Sequence, residues 1–129
     1  LVVAADQTLS FGQEQLHKPK TLEDARAQLR KLSGTTHALH AAVACFRNGE
    51  QVFAHVESAR LTMREFGEVF LDAYLSGAGD AVTRSVGGYQ VEGLGVQLFD
   101  RIDGDHSTIL GLPILPLLAY LRRAGAIEV

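Results

Sequence analysis

The chain has 129 residues, 47% hydrophobic and 21% charged, which suits one folded domain with a single core and excludes disorder. Its formal net charge of -3, from 12 basic and 15 acidic residues, excludes a broad basic footprint for nucleic acid but not a local nucleotide pocket. The lone cysteine, Cys45, excludes an internal disulfide and fits a reducing compartment.

Taken in order, the chain opens on Leu1-Val2-Val3-Ala4-Ala5, a run whose length suits a buried strand, and the run stops at Asp6-Gln7. There is no polar lead-in, so residues are expected to be missing upstream. Residues 8–11 and 13–16 read as short strands hinged at Gly12. Lys18-Pro19 then breaks the chain and brings a cation into the same segment. Thr21 with Asp24 gives a helix start of capping-box type, and Leu22, Ala25, Leu29 and Leu32 form its apolar stripe. Arg26, Arg30 and Lys31 point outward, and Ser33-Gly34 ends the helix.

Residues 36–61 read as a long antiparallel ribbon, folded at Asn48-Gly49 in a type I′ turn. Cys45, in the apolar stretch of that ribbon, is expected to be a buried, inert thiol. Thr62 and Glu65 suggest a second capping box, with Phe66, Val69, Phe70 and Ala73 as the stripe and Tyr74 beside it. Residues 76–80 read as a flexible stop. Three glycines then enclose one acid in Gly88-Tyr89-Gln90-Val91-Glu92-Gly93-Leu94-Gly95. Residues 96–102 read as a strand. A last helix follows Pro113, burying Leu117, Leu118 and Leu121 and stopping at Gly125. The expected class is α/β, a mixed sheet flanked by helices, in one domain over residues 1–129. No apolar run reaches membrane-spanning length, so no membrane partner is expected.

The residues that carry chemistry are few. An Asp, a Gln and a Lys within the first 18 residues look like a site for a phosphorylated ligand. The plain alternative is an Asp capping a turn and a solvated lysine. His37 and His40 are three apart on a strand, so they face opposite sides and cannot share an ion. His17, His55 and His106 are scattered, and no histidine metal centre is expected. No Walker loop, dinucleotide fingerprint or nucleophile elbow occurs.

Several segments, in order and spacing, resemble the Maf family, the septum-formation-inhibitor-like nucleoside triphosphate pyrophosphatases. They are Ala5-Asp6-Gln7, Lys18-Pro19, Ala25-Arg26, Leu29-Arg30-Lys31-Leu32-Ser33-Gly34 and Thr36-His37. Tyr89, Glu92-Gly93-Leu94-Gly95, Arg101-Ile102-Asp103-Gly104-Asp105 and Gly111-Leu112-Pro113 continue the resemblance along nearly the whole chain. It implies the elongated α/β fold shared with inosine triphosphate pyrophosphatases, with a cleft between two lobes. It also implies hydrolysis of the α-β phosphoanhydride to a nucleoside monophosphate and pyrophosphate, a divalent metal (magnesium or manganese), a cytoplasmic location and a homodimer.

By the same resemblance Asp6 is the proton acceptor, and Gln7 with Glu92 the residues that mark substrate choice. On the chemistry of phosphoanhydride hydrolysis Asp6 fits either the base or a metal ligand that positions the water, and Lys18 fits a point charge on the triphosphate. Gln and Glu at those two places match the 7-methyl-GTP branch; pyrimidine-preferring members carry Thr and Gln. The acid–lysine pair that many pyrimidine-type members carry is here Arg84-Ser85, and His17 stands where the family usually has Gly. The family's first segment, a strand and phosphate loop with a Ser-x-Ser-x-Arg-Arg signature, is expected to be missing from this sequence. The alternatives are a dTTP/UTP pyrophosphatase of the same family, a non-catalytic regulatory domain linked to septum formation, and a folded fragment with no activity of its own.

Overall fold

The computed structural model describes residues 1–128. Five strands form one sheet: β1 (Val2–Phe11), β2 (Glu14–Leu16), β3 (Thr36–Arg47), β4 (Glu50–Met63) and β5 (Phe99–Asp103), in the order β2-β1-β3-β4-β5. The expected α/β arrangement is present, and the pairings between these strands are all antiparallel. The helices are α1 (Leu22–Leu32), α2 (Glu68–Ala78), α3 (Ala81–Arg84), α4 (His106–Leu110) and α5 (Ile114–Arg123). None of the described helices is long and apolar enough to cross a membrane.

The β3–β4 ribbon is as its sequence reads. Asn48 and Gly49 take positive φ of 53° and 77°, the left-handed pair that a tight hairpin needs. Alternation along β3 sends His37, Leu39, Ala41, Val43 and Cys45 to one face, where all are buried. That face holds the core. Leu9, Leu39, Ala59 and Leu61 meet Ala25, Leu29 and Leu32 of α1 and Leu71, Tyr74 and Leu75 of α2. Fully burying a leucine such as Leu29 or Leu32 is worth roughly 2 kcal/mol. A second cluster joins Val43 and Cys45 to Leu117 of α5.

Five expectations need correcting. The opening run is a strand but not a buried one. Residues 1–6 are exposed, Val2 at 64%, because β2 flanks only Leu9, Ser10 and Phe11 of β1 and none of the described residues buries them there. Nor does the strand stop at Asp6-Gln7. No turn residue interrupts the alternation, so it continues unbroken to Phe11.

The second capping box does not form. Thr62 is taken up by the sheet, where its Oγ1 lies 2.8 Å from Thr36 Oγ1, and α2 starts later, behind Gly67. That shift turns the helix, so its buried face is Leu71, Tyr74 and Leu75 while Val69 is 86% exposed. α2 also runs on to Ala78, through the expected stop, before Gly79 at φ 58° ends it. Finally, residues 94–98 coil as a tight 3-10 turn, and β5 starts only at Phe99.

Candidate active site

The site is built along the side of β1 that β2 leaves free. Ala5, Asp6 and Gln7 border a hollow of about 340 Å³ whose other walls are Lys18, Arg84 at the end of α3 with Ser85 and Val86 after it, and Leu110-Gly111 at the end of α4. A narrower hollow of about 50 Å³ adjoins it. Glu92 lines that second space with Tyr89, Gln90, Val91, Leu39 and Ile109. The two hollows share Gln7, Ser85, Val86 and Leu110 in their walls, so they adjoin and together make up the depression. Asp6 and Lys18 line the larger hollow and Glu92 the smaller, with Gln7 in the wall common to both.

Strand alternation explains how neighbours divide the work. Asp6 pairs across the sheet with Ala42 and turns its carboxylate away from the core, accepting a 2.9 Å hydrogen bond from the Gln7 backbone N–H at Oδ1. Gln7 turns towards the core. Its Nε2 donates to the carbonyls of Thr108 at 3.2 Å and Ile109 at 2.8 Å, which ties α4 to β1. Thr108 in turn donates from Oγ1 to Glu57 Oε2 at 3.0 Å. Lys18 follows β2 and borders the hollow with its side chain exposed, and Pro19 beside it is buried.

The segment that carries Glu92 is pinned at several points. Gly87 has φ 81°, and a Cβ there would come within 2.8 Å of the Leu9 side chain and closer still to the Tyr89 ring, so only glycine fits. Tyr74 donates its hydroxyl to the Gly88 carbonyl at 2.8 Å. The Tyr89 hydroxyl and His37 Nε2 share a buried hydrogen bond of 2.6 Å, and the Tyr89 ring meets Phe99 edge-on at 4.9 Å. Gly93 N–H then closes a turn on the Gln90 carbonyl at 3.1 Å. Burial pushes the His37 imidazole down to about 4 and the Tyr74 phenol up to about 12; it raises Tyr89 as well. All three rings are therefore neutral props at ordinary pH, and Glu92 projects from the turn they support.

Among the described residues no three His, Cys, Asp or Glu side chains converge into a metal cage. His37 and His40 do lie on opposite faces, His40 bridging Ser10 and Ser58 at 2.8 and 2.7 Å. The donor set at the hollow is instead the Asp6 carboxylate beside room for phosphate oxygens. That set fits magnesium, which is commonly held by one or two carboxylates together with substrate phosphates.

All four residues singled out from sequence, Asp6, Gln7, Lys18 and Glu92, border the depression. Sequence reasoning noticed Arg84 and Ser85 only as a departure from a family pattern, not as walls of a site. It gave no role to Leu110. A basic residue just ahead of a glycine-rich stretch was the available signal for Arg84.

The chain is similar to several known proteins. A "Nucleoside triphosphate pyrophosphatase" of Rhodopseudomonas palustris (strain BisB18) is 60% identical over 123 residues, covering 95% of this chain and 61% of that protein. One of the same description from Nitrobacter winogradskyi is 60% identical over 121 residues, covering 94% of the chain and 60% of the relative. A "7-methyl-GTP pyrophosphatase" of Brucella abortus is 52% identical over 128 residues, covering 99% and 64%. The chain thus spans about 61% of the first of these relatives. The sequence profile described as "Maf-like protein" matches residues 1–124, and the chain belongs to the Maf family.

Proposed function

We propose that this chain carries the site of a nucleoside triphosphate pyrophosphatase, which hydrolyses the α-β phosphoanhydride and releases a nucleoside monophosphate and pyrophosphate. The observation that carries the reading is the wall the two hollows share: a carboxylate and a lysine line one, a second carboxylate lines the other, and Gln7 stands in the wall between them. That is the layout a nucleotide needs, with its phosphates and its base held apart. The names of the relatives support it.

Phosphoanhydride hydrolysis needs an oriented water, an acceptor for its proton and positive charge on the phosphate oxygens. Asp6 is the acceptor. Its Oδ1 is oriented by the Gln7 N–H, which fixes the carboxylate plane and leaves Oδ2 for the water. Lys18 supplies a point charge to the phosphates. A divalent metal, magnesium or manganese, would be held by Asp6 with the phosphates and would neutralise charge on them. Gln7 spends its amide N–H groups on α4, so its work in this reading is to hold the wall between base and phosphates in place.

Glu92 selects the base. A guanine edge offers N–H donors that a carboxylate accepts, and a 7-methylated ring also carries positive charge that an acid complements. The substrate proposed is therefore 7-methyl-GTP or a related modified nucleotide, handled by a cytoplasmic homodimer. The net charge of -3 favours a free nucleotide over nucleic acid.

The test is pyrophosphate release from 7-methyl-GTP, UTP and dTTP with magnesium or manganese present. The protein should prefer 7-methyl-GTP, and Asp6→Asn should lose at least about 100-fold in kcat, the contribution of a positioned acid–base group, while keeping its melting temperature. Preference for the pyrimidines would reject the substrate, and wild-type-like turnover by Asp6→Asn would reject the role of Asp6.

A further inference from the structure

The hollow beside Asp6 contains a charge for which the reading above has no use. Its lining carries two cations, Lys18 and Arg84, against the single carboxylate of Asp6. Arg84 ends the four-residue helix α3, directly before Ser85 and Val86, which belong to both hollows. Arg84 lines the Asp6 hollow and not the smaller one. The guanidinium is barely engaged. Among the described residues its one ion pair is with Asp80 at 3.7 Å, and the two side chains are 70% and 87% exposed. A pair that open and that long stabilises little. The contrast with other arginines is plain: Arg30 grips Glu68 through two bonds of 2.7 and 2.8 Å, and Arg26 reaches Asp72 at 2.6 Å.

We propose that Arg84 is a polyphosphate-binding residue, the second cation of the Asp6–Lys18 hollow, which turns from Asp80 to take phosphate oxygens when a nucleotide enters. The proposal rests on the hydrolase reading for the identity of the ligand, but its physical content is narrower: a di- or triphosphate group recognised by a guanidinium. Lysine offers a compact point charge, whereas arginine offers a planar fork that meets two oxygens at once. Two unlike cations suit a chain of phosphates, one fixing a single oxygen and the other an orientation. The swap of partner is inexpensive because the Asp80 contact is exposed.

The experiment is calorimetric titration of inorganic pyrophosphate, in magnesium buffer, into the protein as its gene encodes it and into Arg84→Ala and Arg84→Lys, with melting curves for all three. Arg84→Ala should weaken pyrophosphate binding about tenfold, the worth of one charge-assisted pair, with its melting temperature unchanged. Arg84→Lys should recover part of that loss, since it restores charge without the fork. The proposal is overturned if the unaltered protein binds no pyrophosphate, if Arg84→Ala binds it as well as the parent does, or if binding and melting temperature fall together with no recovery in Arg84→Lys. The two readings fail separately. Arg84-dependent pyrophosphate binding without turnover of any triphosphate retires the hydrolase reading alone; turnover with Arg84-independent binding retires this proposal alone.

Discussion

His37 shows how one buried side chain links stability to the site. It sits in the core with 2% exposure, its Nε2 against the Tyr89 hydroxyl and its Nδ1 without a partner among the described residues. Burial lowers its folded pKa from 6.5 to about 4. An unfolded imidazole takes a proton near pH 6.5, whereas the folded one resists until about pH 4. Between those values the unfolded state binds more protons, so stability is full above the window and falls as pH drops through it. The expected loss between pH 7 and pH 5 is about 2 kcal/mol, since each unit of pH in the window is worth about 1.4 kcal/mol. Urea unfolding at the two pH values measures it. His37→Phe should be less stable than wild type at pH 7, because the Tyr89 hydroxyl loses its partner, yet should lack this acid-side slope. Equal slopes in both proteins would mean that other groups govern acid unfolding.

At the scale of elements, α1 is the cleanest case of local sequence setting local structure. Thr21 Oγ1 accepts from the Asp24 N–H at 3.1 Å, Glu23 and Asp24 occupy the first turn, and Arg30 and Lys31 the last. Capping and charge complement the helix ends together. Thr21→Ala should cost about 1 kcal/mol in chemical unfolding without touching turnover; a change within about 0.3 kcal/mol would show that tertiary packing alone holds that end. The same signals explain what was readable and what was not. The Asn48-Gly49 hairpin and the α1 cap are decided within four residues, so sequence discloses them. α2 is decided at longer range. Thr62-x-x-Glu65 looks like a helix start, but Thr36 lies across the sheet and claims Thr62 for a strand. Exposure of residues 1–6 is likewise a matter of which elements lie beside β1, and an apolar run carries no record of its neighbours.

At the scale of the molecule, the depression belongs to no single element. Asp6 and Gln7 come from β1, Lys18 from the loop after β2, Arg84 from α3, Glu92 from the glycine turn and Leu110 from α4. Asp6 and Lys18 are near enough in sequence for their types and spacing to suggest a phosphate site. Glu92 was reachable only through resemblance, because its nearness to Gln7 exists in three dimensions alone. Such a site has a thermodynamic consequence. A ligand that binds only the assembled depression stabilises every segment that builds it, by about 2.7 kcal/mol at a hundred times its Kd. A 7-methyl-GTP analogue bridged by methylene between its α- and β-phosphates is not hydrolysed and can be held at that concentration. Amide hydrogen exchange should then slow together in the 84–92 segment and in α4, since Gln7 bonds α4 to β1 and Tyr89 and Tyr74 pin the glycine turn. The tips of the β3–β4 hairpin, far along the ribbon from Asp6, should exchange as before. Protection confined to the residues around Lys18 would show that the phosphates bind without the base. Equal slowing everywhere, hairpin included, would show global stabilisation with no opening of the site below it.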